Sequence, residues 1–144
     1  MRILVDADSC PVKEIIVKQA KKYSIKVHMY FDNSHEYHDG YSFVYILDKG
    51  ADSVDYFLIN HVYENDIVVT QDYGVAAMAL SKKALAINQN GHIFDDENIM
   101  TMLSFRATSQ KIRRHKNLKG PKKRTKVDNI KFEENLTLLI NKNK

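Results

Sequence analysis

Short apolar runs alternate with amphipathic segments along the chain. Arg2–Asp8 reads as a strand, and Pro11 suits the first turn of a helix, with Ser9 or Cys10 near its cap. Val12, Ile15, Ile16 and Ala20 recur at helical spacing and predict the buried stripe of that helix. Ile25–Phe31 and the aromatic-rich Tyr41–Leu47 read as two further strands, separated by the polar segment Asp32–Gly40. Asp52 opens a second helix with Val54, Phe57, Leu58 and Val62 as its apolar positions. The pattern continues with strand Ile67–Gln71, helix Gly74–Lys82 and strand Ala84–Asn88. A turn over Asn88–Gly91 leads into His92-Ile93-Phe94 and a helix from about Asp95. The last helix, near residues 128–141, carries Phe132, Leu136, Leu139 and Ile140 on one face. This alternation predicts an α/β fold with a mainly parallel sheet, right-handed crossovers and a C-terminal helix, all within one domain over residues 1–144.

Two of the expected strands end in acids. Ile3-Leu4-Val5 runs into Asp6-Ala7-Asp8, and Ile67-Val68-Val69 runs into Thr70-Gln71-Asp72. The carboxyl ends of parallel strands open into the crevice where α/β proteins bind ligands. A carboxylate there loses hydration and crowds its neighbours, which a bound cation or a proton-transfer role offsets. If the first strand stays extended, its period of two sends Asp6 and Asp8 to the same side. Asp6, Asp8 and Asp72 are therefore the candidate catalytic and metal-binding residues, with Mg2+ or Mn2+ as the expected ion. The structural alternative makes Asp8 part of the turn into the first helix and Asp72 an N-cap. Asp52 and Asp55, one helical turn apart, are open between capping and metal binding. Thr70 is a candidate for contacting substrate or a metal-bound water, or is simply a β-former. Cys10 lacks an activating base nearby in sequence, and the six histidines show no metal-ligand spacing.

Charge adds a substrate class to this picture only through its distribution. The net charge is +4 over 144 residues, yet residues 105–144 carry a net +10 and residues 1–104 a net −6. An acidic body beside a basic tail suits a polyanion such as RNA, with Arg113, Arg114, Lys122, Lys123 and Arg124 as candidate phosphate contacts. These residues fall in or beside a basic loop near residues 116–126 around Gly120-Pro121. The bland alternative is a solvated basic surface. The single cysteine excludes an internal disulfide and a cysteine-rich zinc site, and fits the reducing cytoplasm. No signal-peptide apolar region is expected at the N-terminus, and no apolar run approaches the ~20 residues that span a bilayer.

The motifs Val5-Asp6-Ala7-Asp8-Ser9-Cys10-Pro11-Val12, Gly50-Ala51-Asp52-Ser53-Val54-Asp55, Asp66–Asp72 and Gly120-Pro121-Lys122 span almost the whole chain in order. Together they resemble the YaiI/YqxD type of uncharacterised bacterial proteins, whose fold is similar to PIN-like ribonuclease domains. The resemblance implies a PIN-like three-layer domain and a metal-dependent nuclease. It implies metal ligation by Asp6, by one of Asp52 and Asp55, and by Asp72, with Asp8 an extra acid of this family's own motif. The usual Thr-x-Asp-Ile-Pro-Leu-Ala pattern stands here as Thr70-Gln71-Asp72-Tyr73-Gly74-Val75-Ala76, which loses the proline and keeps the acid.

Two rival classes share these residues. A phosphatase of the haloacid-dehalogenase type would use Asp6 as nucleophile, Asp8 as acid/base, Thr70, Lys82 and the pair Asp95-Asp96. Against it, Lys82 follows Thr70 closely, and no threonine follows the Asp-x-Asp. A non-catalytic RNA-binding protein would use the acids structurally or hold metal without turnover. The oligomeric state is not legible in the sequence.

Overall fold

Ile3, Leu4 and Val5 are fully buried, so the first strand, β1 (Arg2–Asp6), must be covered on both faces. In a computed structural model, which describes residues 1–32, 36–48, 53–104 and 123–142, β1 lies in the interior of a six-stranded sheet. The other strands are β2 (Lys26–Asp32), β3 (Phe43–Leu47), β4 (Ile67–Val69), β5 (Leu85–Ile87) and β6 (Ile93–Phe94). Their spatial order is β3-β2-β1-β4-β5-β6. All neighbours pair in parallel except β5 and β6, which form an antiparallel hairpin. The chain builds outward from β1 to β3, then returns to place β4 on the other side of β1. The β1–β4 boundary is therefore the topological switch point of the sheet.

Helices cover both faces. Helices α1 (Lys13–Tyr23) and α5 (Lys126–Lys142) pack on the face carrying Ile3, Val5, Val27 and Val69. On the opposite face, α2 (Ser53–His61), α3 (Tyr73–Ser81) and α4 (residues 96–104) cover Leu4, Val68 and Ala86. The expected α/β class, mainly parallel sheet and C-terminal helix are all present, in three layers. Leu58 and Val62 are buried as the apolar pattern requires, and Phe132, Leu136, Leu139 and Ile140 form the buried face of α5. No helix among the described residues is long and apolar enough to cross a membrane.

The element ends differ from the sequence pattern where polar groups turn the chain. β1 stops at Asp6 because residues 8–9 form a turn, with Ser9 in the left-handed region at φ 58° and the Cys10 amide donating to the Ala7 carbonyl at 3.1 Å. Helix α1 consequently starts at Lys13, with Val12 as its N-cap, rather than at Pro11. β4 likewise stops at Val69, although the Thr70 amide still reaches the Ile87 carbonyl of β5 at 3.1 Å. The β5–β6 turn presses against α5. Gly91 has φ +85°, and a Cβ there would lie 2.7 Å from the Lys131 carbonyl oxygen. The Asn135 side chain donates to the Gly91 carbonyl at 2.6 Å.

Gly91→Ala should therefore strain the backbone and push the turn off α5. We expect a loss of about 1–3 kcal/mol in urea-unfolding free energy, with the slope of the transition unchanged. An unaltered midpoint would show that turn and helix are not tightly docked.

Candidate active site

Strand alternation decides which way the first acid points. Ile3 and Val5 face α1 and α5, so Leu4 and Asp6 face α2 and α3. On β4 the same alternation turns Val68 and Thr70 toward that second face. The two strand ends meet through one hydroxyl. Thr70 Oγ1 donates to Asp6 Oδ2 at 3.0 Å and accepts from the Asp72 amide at 3.0 Å. Thr70 is buried, so its hydroxyl positions the two acids instead of reaching open surface.

Asp72 is the N-cap of α3, and its Oδ1 accepts from the Gly74 and Val75 amides at 2.7 and 3.2 Å. The capping role expected of this residue is thus present, and it does not remove the carboxylate from the site. Asp72 and Asp55, the latter in the first turn of α2, line one groove of about 420 Å3 between α2 and α3. Tyr56 and Ile59 form one wall of that groove, and Gly74 and Met78 lie on the other. Asp8 takes a different course. Its Oδ2 accepts from the Asp32 amide at 3.1 Å, tying the turn after β1 to the end of β2. The extended geometry that would have aligned Asp8 with Asp6 ends at the turn.

The electrostatics single out Asp6, whose carboxyl is pushed up from 3.8 to about 6. Burial is the largest cause; the Thr70 hydrogen bond opposes it, and Asp55, Asp72 and Asp8 add further upward pressure. The charges acting most strongly on this group are all negative. The donor set is hard oxygen throughout, as magnesium and manganese require. Among the described residues, no three His, Cys, Asp or Glu side chains are gathered as a ready ligand set. A cation here would therefore draw on one or two carboxylates plus water and substrate oxygens, an arrangement usual for magnesium. Cys10 is buried and its thiol is raised, chiefly by that burial, so it is poorly suited as a nucleophile.

The remaining candidates separate by position. Asp52, Arg113, Arg114 and Lys122 lie outside the described residues, as does most of the basic loop near 116–126 with Gly120-Pro121. Lys123 is exposed. Arg124 is docked on the turn after β5, donating to the Asn90 side chain and the Gln89 carbonyl, both at 2.6 Å, and to Asn129 at 2.8 Å. Lys82 sits at the far end of α3 and donates to the Ile59 carbonyl at 2.5 Å. β6 runs antiparallel and carries Asp95 toward that same far edge. The phosphatase reading thus loses both its lysine and its second acidic pair from the β1–β4 end. Sequence reasoning missed the apolar groove walls, Tyr56 and Met78. Their signal is large apolar side chains left 74% and 51% exposed on the two helices. A larger hollow, lined by Glu36, Tyr37, His38 and Ile46, holds none of these strand-end acids.

The raised Asp6 carboxyl has a consequence for stability. Between pH 3.8 and about 6 the folded chain holds a proton that the unfolded chain has released, so stability falls as pH rises through this window. Asp6→Asn should flatten that fall and raise the melting temperature of chelator-treated protein at neutral pH. Adding magnesium or manganese should raise the wild-type melting temperature, more at pH 8 than at pH 5, and leave Asp6→Asn nearly unmoved. Melting curves of both proteins across pH, with and without the ion, check all three outcomes.

Comparison with known proteins supplies the relatives. A family model described as "Uncharacterized BCR, YaiI/YqxD family" matches residues 4–142. A UPF0178 protein of Ruminiclostridium cellulolyticum is 57% identical over 97% of this chain and 92% of its own length. Another, of Alkaliphilus oremlandii, is 54% identical over 99% of this chain and 93% of the relative. A third, of Clostridium novyi, is 51% identical over 100% and 97%. No solved structure gives a significant match. With nearly its full length covered by the family model and by these relatives, the chain belongs to the YaiI/YqxD family.

Proposed function

We propose that this protein is a cytoplasmic, divalent-metal-dependent phosphodiesterase of the PIN-like type, acting on RNA. The observation that carries the reading is the partly buried carboxylate of Asp6 at the sheet's switch point, with Asp55, Asp72 and Asp8 all acting on it. Such crowding costs free energy in the metal-free protein, and a divalent cation offsets it. A bound Mg2+ or Mn2+ would lower the pKa of a coordinated water and stabilise the departing oxygen.

The chain's own residues supply the rest. Asp6 and Asp72 would hold the ion, with Asp55 facing the same groove. Thr70 keeps the Asp6 carboxylate aimed by its 3.0 Å hydrogen bond and ties it to the α3 N-cap. Asp8 contributes negative charge from beside the site while anchoring β2. Arg113, Arg114, Lys122 and Lys123 would hold the phosphate backbone, and Arg124 brings the start of α5 to the β5–β6 turn. No protein nucleophile is required, since water attacks the phosphorus in line.

Cleavage of RNA oligonucleotides should require added Mg2+ or Mn2+ and leave no covalent enzyme–phosphate species. Asp72→Asn is the informative variant, because asparagine still caps a helix while the charge is lost. It should fold normally and lose more activity than the roughly 10–100-fold typical of changes around a metal ligand. Metal binding and RNA retention without cleavage would leave a binding protein, and a phosphorylated Asp6 would restore the phosphatase.

The basic tail is tested separately. Binding to single-stranded RNA should weaken with salt, and the logarithmic slope should shrink by about 0.7 for each phosphate contact removed by neutralising Arg113, Arg114, Lys122 or Lys123. An unchanged slope in the fourfold variant would show a tail that is only solvated.

A further inference from the structure

The end of β1 has two unlike flanks. Asp55 and Asp72 line the groove on the α2 and α3 side. On the α1 and α5 side stand two cations, Lys13 and Arg124, and neither is ion-paired among the described residues. Lys13 is partly buried and opens α1, where the helix dipole disfavours a positive charge. Its ammonium is nevertheless fixed there. It donates to the Cys10 carbonyl at 2.6 Å and lies 5.9 and 6.0 Å from the ring centres of Phe31 and Tyr37. Phe31 belongs to the carboxyl end of β2, so this charge sits at the same sheet edge as Asp6. Hydrogen bonds along that edge lead on to Arg124. Gln71 donates to the Ser9 carbonyl at 2.9 Å, the Thr70 amide reaches Ile87 of β5, and Arg124 holds the Gln89 carbonyl just beyond that strand. The buried Cys10 thiol senses both cations: burial raises it most, Lys13 and Arg124 lower it, and Asp6 raises it.

We propose that Lys13 is a phosphate contact for single-stranded RNA, with Arg124 continuing the same cationic flank along the sheet edge. The assignment rests on the phosphodiesterase reading and adds to it a residue on the side of β1 away from the acidic groove. A phosphodiester lying over the end of β1 turns oxygens to both flanks. Those on the acid side need a cation between, whereas those on the α1 side meet the Lys13 ammonium directly. A lysine ammonium is a compact point charge with three donors, and here one is spent on the Cys10 carbonyl. The carbonyl and the two rings hold this ammonium without neutralising it. Arg124 keeps its charge in the same way, because its hydrogen bonds go to neutral oxygens of Gln89, Asn90 and Asn129. Two fixed, uncancelled cations at one sheet edge suit successive phosphates of a strand passing over it, since such contacts set register and orientation.

Salt titrations of single-stranded RNA binding to the full chain, in the presence of chelator, test the assignment. The logarithmic slope should shrink by about 0.7 in Lys13→Met, which removes one phosphate contact, and be kept in Lys13→Arg, which restores the charge. Lys18→Met removes an exposed cation of the same helix that faces Glu133, and should leave the slope unchanged. A second measurement needs no variant. In reductive methylation of the wild type, read by mass spectrometry, bound RNA should slow the labelling of Lys13 and leave Lys18 at its free rate. An unchanged slope in Lys13→Met overturns the assignment and leaves the phosphodiesterase reading standing. So does Lys13 labelled equally fast with and without RNA, or a slope that falls as far in Lys13→Arg as in Lys13→Met. The expected slopes and protection without metal-dependent cleavage would keep Lys13 as a phosphate contact and overturn the catalytic reading. A wild-type chain that binds no RNA overturns both.

Discussion

One hydroxyl joins the two strand ends on which the site depends. Thr70 donates to the partly buried Asp6 carboxylate and accepts from the amide of Asp72, so the end of β1, the end of β4 and the start of α3 are held by two 3.0 Å hydrogen bonds. The sheet makes this contact possible because β1 and β4 are parallel neighbours at the point where the strand order reverses. Helices α2 and α3 then close over the same face, bringing Asp55 and Asp72 to one groove beside Asp6. Without the threonine, Asp6 would keep its burial and its acidic neighbours and lose the one contact that favours its charged form.

The opposite edge of the sheet shows what a purely structural buried acid looks like. Asp66 is 3% exposed, yet its carboxylate meets Arg2 at 2.6 Å and also accepts from the Arg2 and Tyr63 amides. Each of its oxygens has a donor, one of them a full positive charge, so burial there is compensated within the protein. Asp6 has a neutral hydroxyl and three acids instead. The same residue type at the two ends of neighbouring strands is thus neutralised in one case and left electrostatically unsatisfied in the other. That contrast, more than the number of acids, is the physical basis for reading the β1–β4 edge as a functional site.

The basic C-terminal segment enters the structure through Arg124. Its guanidinium is spent on neutral oxygens of Gln89, Asn90 and Asn129, so it docks the start of α5 against the β5–β6 turn without cancelling any carboxylate. The positive charge consequently remains at that turn. Gly91, pressed against α5, and the Asn135 hydrogen bond fix the same junction from the other side. The start of α5 is thereby tied to the β5–β6 turn by contacts from both sides.

The apolar runs were sufficient to identify the class of fold, because a strand buried on both faces cannot tolerate polar residues and a surface helix cannot avoid a stripe of apolar ones. The acids at the ends of Ile3–Val5 and Ile67–Val69 were legible for the same reason: they interrupt runs that are otherwise wholly apolar. What each acid does was not legible. Asp6 and Asp8, two residues apart, separate because Ser9 turns the chain and the Asp32 amide claims Asp8. Asp55 and Asp72, seventeen residues apart, converge because two helices pack side by side on one face. Thr70 changes from a strand-former to the link between Asp6 and Asp72 only once β4 lies beside β1. Sequence determined the strands, the helices and the acidic ends through local burial requirements; partner, orientation and charge state come from contacts across the sheet, which only the tertiary structure decides.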